Sequence, residues 1–76
     1  MPDAASKLQT RFGETLRVER KRLRMSQEQL SLEAGVSMTY VGEIERGEKM
    51  ASLDLVVRLA KALQMTGGGL MDKAGL

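Results

Sequence analysis

Apolar residues recur at helical intervals along the chain, and no stretch alternates like a half-buried strand. Leu8, Phe12, Leu16 and Leu23 mark one face of an amphipathic helix predicted over residues 7–24. "SQEQ" at 26–29 has the form of a capping box, in which Ser26 accepts from the amide of residue 29 and Gln29 reaches back to the N-cap. A second helix then runs through Leu30 and Ala34 until Gly35, where a left-handed residue is wanted. Val36 is expected to point inward, Ser37 to cap a third helix, and Gly47 to end it. Ser52 caps a fourth, with Asp54 near its positive end and Leu53, Val56, Leu59, Ala60 and Leu63 as its expected stripe.

The closing "TGGGLMDKAGL" allows two readings. One is a short fifth helix opened by Thr66 and held by packing of Leu70 and Met71. The other is a flexible tail, because each of Gly67, Gly68 and Gly69 costs a helix about 1 kcal/mol relative to alanine. The pattern as a whole predicts an all-α fold, a compact bundle of four to five short helices. Residues 8–76 form its single domain and residues 1–7 a flexible arm.

Composition narrows the chemistry. Phe12 and Tyr40 are the only aromatics among 76 residues, so the core must be aliphatic. With neither histidine nor cysteine, disulfides, thiol chemistry and the usual zinc and haem ligands are excluded. The "GGG" at 67–69 lacks the Lys-Ser/Thr that would make it a phosphate loop. No cofactor, metal, small-molecule ligand or enzymatic activity is therefore expected. The start, "MPDAASKLQT", carries neither an apolar run nor a cationic leader, and no segment has the length of a membrane span. A cytoplasmic setting is the expectation.

Charge is uneven along the chain. Residues 1–25 hold seven basic and three acidic side chains, a balance of +4. Residues 26–50 hold two and five, a balance of −3. The basic run "RVERKRLR" reads either as the solvated face of the first helix or as attraction to a polyanion.

The informative pattern lies between Gln27 and Arg46. If Gln27 is counted as the first of twenty positions, small Ser31 is fifth and Gly35 ninth. Leu30, Ala34, Val36, Val41 and Ile44 are fourth, eighth, tenth, fifteenth and eighteenth. A small residue is needed where two helices cross, a glycine where the chain turns, and apolar anchors where the pair is held together. This spacing resembles the helix-turn-helix of the Cro/cI-like (XRE) family of bacterial and phage DNA-binding regulators. The likeness extends from Phe12 to Met71, and "TYVGEIERG" is similar to a segment of restriction–modification controller proteins. It implies a lambda-repressor-like fold that binds double-stranded DNA.

The resemblance also implies residue roles. Arg20 lies about 40° around the helix from Leu16, on the rim of the apolar stripe, and a cation there needs a partner. The family supplies one in a glutamate at the end of helix 3, here Glu45. Helix 3 enters the major groove by its N-terminal residues. That places Ser37, Met38, Thr39 and Glu43 at the groove, with Gly42 on the same side and Tyr40 beside them. Gln27 touches phosphate and braces helix 3, while Arg46, Lys49 and the amides opening helix 4 at Ser52 clasp the backbone. Met38 can pack on a thymine methyl or serve as a neutral spacer. Tyr40 reads either as a groove neighbour or as a packing residue. Gly42 is either drift at an exposed position or a means of closer approach.

One small module makes few contacts, so a homodimer on a palindromic site is expected. Leu55, Val57, Leu70 and Met71 are the candidate dimer face, the competing reading being that they complete a small core. The acidic residues Glu28, Glu33, Glu43 and Glu48 are a candidate contact for RNA polymerase. A rival reading is an antitoxin that binds a partner toxin and its own operator.

Overall fold

A computed structural model of the chain describes residues 4–76, and these contain five helices. They are α1 (Ala4–Arg22), α2 (Gln27–Ala34), α3 (Met38–Glu45), α4 (Leu53–Ala62) and α5 (Gly67–Lys73). α1 starts ahead of the expected residue 7, so the arm predicted over 1–7 is helical from Ala4 onward. Residues 1–3 lie outside the described residues. No helix among the described residues is long and apolar enough to cross a membrane.

Hydroxyl groups open four of these helices. Ser26, Ser37, Ser52 and Thr66 each accept a hydrogen bond from the backbone amide three residues on. At Ser26 the capping box is complete, because Gln29 Oε1 accepts from the Ser26 amide at 2.7 Å. All five helices close in one way. Arg24, Gly35, Gly47, Gln64 and Gly75 are the described residues with positive φ. After each, the next amide bonds back five residues, as in Met25 to Arg20, Val36 to Ser31 and Glu48 to Glu43. This six-to-one bond satisfies carbonyls that the helix end would otherwise leave open.

The core is aliphatic apart from Phe12, which is fully buried with Leu16, Leu30, Val41, Ile44, Leu59, Leu63 and Leu70. α1 packs on α3 and α5, α2 on α3 and α4, and α4 on α5. Two expectations about the core need correction. Leu8 stands at the rim, exposed, because the α1 face that reaches the core begins one turn later at Phe12. Leu53 is 74% exposed whereas Leu55 is 2% exposed. The buried stripe of α4 is Leu55, Val56, Leu59, Ala60 and Leu63, and Leu53 lies about 120° from Leu59 around the helix.

α5 forms despite its glycines. Thr66 Oγ1 accepts from Gly69 at 2.9 Å, and Leu70 drops into the core with no exposed surface. Arg11 on α1 fastens the far end, donating from Nε to the Ala74 carbonyl at 3.2 Å and from Nη2 to that of Gly75.

Gly13 fixes how closely α1 and α3 approach. A Cβ there would collide with the carbonyl oxygen of Ile44 and lie 2.8 Å from that of Glu45. Both are backbone atoms at the end of α3, so neither can swing aside. Gly13→Ala should therefore destabilise the fold by about 1–3 kcal/mol, despite alanine's better helix propensity. A drop in melting temperature of roughly 4 °C or more would register it; an unchanged or raised value would count against the close approach.

Candidate nucleic-acid interface

The α2–α3 unit is held by one hydrogen-bonded cluster. Arg20 on α1 donates from Nε to Glu45 Oε2 at 2.7 Å and from Nη2 to Glu45 Oε1 at 3.0 Å. Its remaining nitrogen, Nη1, donates to the Met25 carbonyl at 2.8 Å, just before α2. Gln27, the first residue of α2, adds a bond from Nε2 to Glu45 Oε1 at 3.1 Å. Glu45 thus accepts from two helices while ending a third. Both charges are almost buried, and no buried side-chain polar atom among the described residues lacks a partner. The Glu45 hydrogen bond raises the Arg20 pKa above its ordinary value, against the opposing effect of burial.

A second clamp sits at the turn. Arg58 on α4 donates from Nη1 to the carbonyls of Ala34 and Gly35, at 3.0 and 3.2 Å. Its Nε lies 3.2 Å from Asp54, one helical turn earlier. Sequence reading missed this role, although the Asp54/Arg58 spacing is the signal of an i,i+4 pair.

With the end of α3 held at Glu45 and the preceding turn held by Arg58, the N-terminal edge of α3 faces outward. Ser37 caps the helix, Met38 is half exposed and Thr39 is exposed. Val41, Ile44 and Glu45 face inward, as the twenty-position pattern requires. Val36 is half-buried against the core. Tyr40 is more a packing residue than a groove residue. It is half-buried, and its hydroxyl donates to the Met50 carbonyl at 3.3 Å, pegging the α3–α4 loop. Lys49 Nζ stands 5.8 Å from the centre of the Tyr40 ring and 3.5 Å from Glu43 Oε2. Ser52 opens α4 with its hydroxyl on the Leu55 amide at 3.2 Å.

Gly42 is a correction. It is not an open face, because side chains cover it. A Cβ there would lie 3.1 Å from Arg46 Nη1 and 3.7 Å from Gln27 Oε1. The missing side chain gives Arg46 room against α3, while Gln27 would only be in ordinary contact with a Cβ. Arg46 itself is tied to Glu48, with Nε 2.6 Å from Oε2 and Nη2 3.4 Å from Oε1.

The expected dimer face is corrected in part. Leu55 and Leu70 are fully enclosed within one chain, where each fills the space between α4, α5 and the rest of the core. Val57 is 52% exposed beside the start of α5, and Met71 is half-buried. Met71 also lines an apolar hollow with Leu8, Gln9, Met50 and Leu76.

The Arg20–Glu45 cluster yields a stability prediction. Glu45→Gln leaves a nearly buried guanidinium without its counter-charge and should lower stability by about 3 kcal/mol. Replacing Arg20 and Glu45 together by methionine should cost far less, and equal losses for the two variants in urea unfolding would refute this account. The raised Arg20 pKa makes its contribution present below the unfolded guanidinium value and lost only above the folded one. Arg20 should thus add no pH dependence near neutrality.

Known proteins resemble the chain in sequence and in fold. The chain is 37% identical over 62 residues to the control protein C.BamHI of Bacillus amyloliquefaciens, spanning 80% of this chain and 76% of that protein. It is 37% identical over 65 residues to the control protein C.SmaI of Serratia marcescens, spanning 86% and 77%. The crystal structure of the restriction–modification controller protein C.AhdI of Aeromonas hydrophila superposes with a TM-score of 0.79 at 37% identity, covering 82% of this chain and 94% of that one. The helix-turn-helix profile HTH_3 matches residues 16–70, which include the Arg20–Gln27–Glu45 cluster and the turn that Arg58 holds. By fold and by sequence, the chain belongs to the helix-turn-helix family.

Proposed function

We propose that this helix-turn-helix DNA-binding regulator binds a palindromic operator as a homodimer and acts as the controller of a restriction–modification system. The observation that carries the reading is the N-terminal edge of α3, exposed at Met38 and Thr39 on a helix held at its end through Glu45 and preceded by a turn that Arg58 clamps. The restriction–modification role is supported by the two relatives named control proteins and by the superposed controller. Their names favour it over the antitoxin role, and also support a protein that binds rather than catalyses. Such a regulator works in the cytoplasm of a bacterium or of a phage-infected cell.

In this reading α3 enters the major groove with Ser37, Met38 and Thr39 at the bases. Met38 has no donor for a bidentate base contact and packs on a thymine methyl, while Thr39 serves a methyl or a hydrogen bond. Glu43 can accept from a cytosine amino group only if it leaves Lys49. Few base hydrogen bonds remain, so shape and deformability of the site supply much of the selectivity. Gln27, Arg46, Lys49 and the α4 amides at Ser52 take the phosphates. The dimer face we assign to Val57, Met71 and the hollow that Met71 shares with Leu8, Met50 and Leu76. Activation runs through RNA polymerase at Glu28 and Glu33, both exposed on α2.

Titrating the protein into duplexes drawn from its own upstream region tests the core of this reading. Binding should show two chains per palindrome and should weaken steeply as salt rises. Thr39→Ala should relax sequence preference, whereas Lys49→Ala should weaken every duplex alike. The regulator reading fails if no duplex outcompetes random DNA at moderate salt. Glu33→Lys should abolish activated transcription while leaving operator affinity intact, and equal loss of both would remove the polymerase contact.

A further inference from the structure

The two cations assigned to the DNA backbone beside the reading helix are both engaged by carboxylates of the same chain. Lys49 faces Glu43, and Arg46 is gripped at two points by Glu48. The second pair is built into the local backbone. Gly47 takes a left-handed turn at φ 77°, after which the Glu48 amide bonds back to the Glu43 carbonyl at 2.9 Å. That turn brings the Glu48 carboxylate alongside Arg46. On the helix side, the absent side chain of Gly42 gives the guanidinium a shallow slot, 3.1 Å from where a Cβ would stand. A carboxylate meeting a guanidinium at two nitrogens is the arrangement in which a phosphate would meet it.

We infer that Glu48 is an affinity-setting residue, which occupies Arg46 in the free protein and must give it up to a DNA phosphate on binding. The inference rests on the DNA-binding reading above, and specifically on Arg46 as a backbone contact. Both members of the pair are more than half exposed, so it adds little to the fold. Its effect falls on the free energy of binding, because each complex must break it. The residue is no pH switch at neutrality. Arg46 holds the Glu48 carboxyl below its usual range, so it stays ionised until well into acid. Since the exchange happens at a phosphate, it lowers affinity for all sequences alike. Protein bound to random DNA is thereby reduced, and the bases read by α3 keep their influence.

The experiment is a double-mutant cycle on duplex binding with the parent protein, Glu48→Gln, Arg46→Ala and the two combined. Each is titrated with operator and with random duplex over a range of salt. Glu48→Gln should tighten both duplexes by about two- to fivefold, the range an exposed ion pair supports. Its salt dependence should steepen by up to about one unit of logarithmic slope. In the Arg46→Ala background the same substitution should change affinity little. An equal gain in both backgrounds would mean that Glu48 merely repels phosphate through its charge, and the exchange would be refuted. No gain from Glu48→Gln refutes it too, as does an Arg46→Ala protein that binds like the parent. These outcomes differ from failure of the DNA reading itself, in which the parent protein would show no preferred duplex. Melting temperatures of all four proteins should agree closely, so a loss of binding by unfolding would be seen directly.

Discussion

Glu45 carries the arrangement on which the rest depends. It is the last residue of α3, nearly buried, and its two oxygens take three hydrogen bonds from Arg20 and Gln27. Arg20 brings α1 to that point and, through Met25, fixes the chain entering α2. α3 is thus located by charge-assisted bonds at its end rather than by apolar packing alone. Such bonds have direction and length, which the aliphatic contacts of Val41 and Ile44 lack. Gly13 meets the same end of α3 from α1, where a Cβ would run into the Ile44 and Glu45 backbone.

This anchoring separates two duties within a short helix. Val41, Ile44 and Glu45 belong to the frame, while Met38 and Thr39 face outward. Between them lies Gly42, which serves neither directly. Its contribution is room for the Arg46 guanidinium, which a Cβ would crowd. The charge balance of −3 over residues 26–50 acquires a meaning here as well. Of the five glutamates in that stretch, Glu45 offsets Arg20, Glu43 faces Lys49, and Glu48 holds Arg46. Glu43 and Glu48 therefore cancel within that balance, and the net −3 is Glu45, which Arg20 offsets from α1, together with Glu28 and Glu33, exposed on α2.

Much of this was legible in the sequence because the relevant signals are local. Ser26 with Gln29, Ser37, Ser52 and Thr66 announce helix starts through chemistry confined to four residues. Gly35 and Gly47 announce stops, because glycine enters the left-handed region without strain. Arg24 and Gln64 adopt the same conformation without that signal, and for this reason the end of α1 was placed two residues late. Periodicity found a stripe on α4 but favoured Leu53 over Leu55. Near a helix start both positions are apolar, and only the placement of α2 and α5 decides which is covered. The same limit applies to Leu70, whose burial depends on α4, and to Gly13, whose necessity appears only when α3 lies against it. Residues that act through distant neighbours leave no trace in spacing.

The shared way in which the helices stop has a consequence for time. Each reversal is set by six consecutive residues that straddle the end of its own helix, and it needs no distant strand or domain to define it. The single proline is Pro2, ahead of every helix, so no slow prolyl isomerisation interrupts the bundle. Helical bundles with such local wiring fold in microseconds to milliseconds, whereas a ribosome needs several seconds for a chain of about this length. Folding therefore adds no delay between synthesis and action. For a DNA-binding regulator, the interval from synthesis to action then contains no slow folding step.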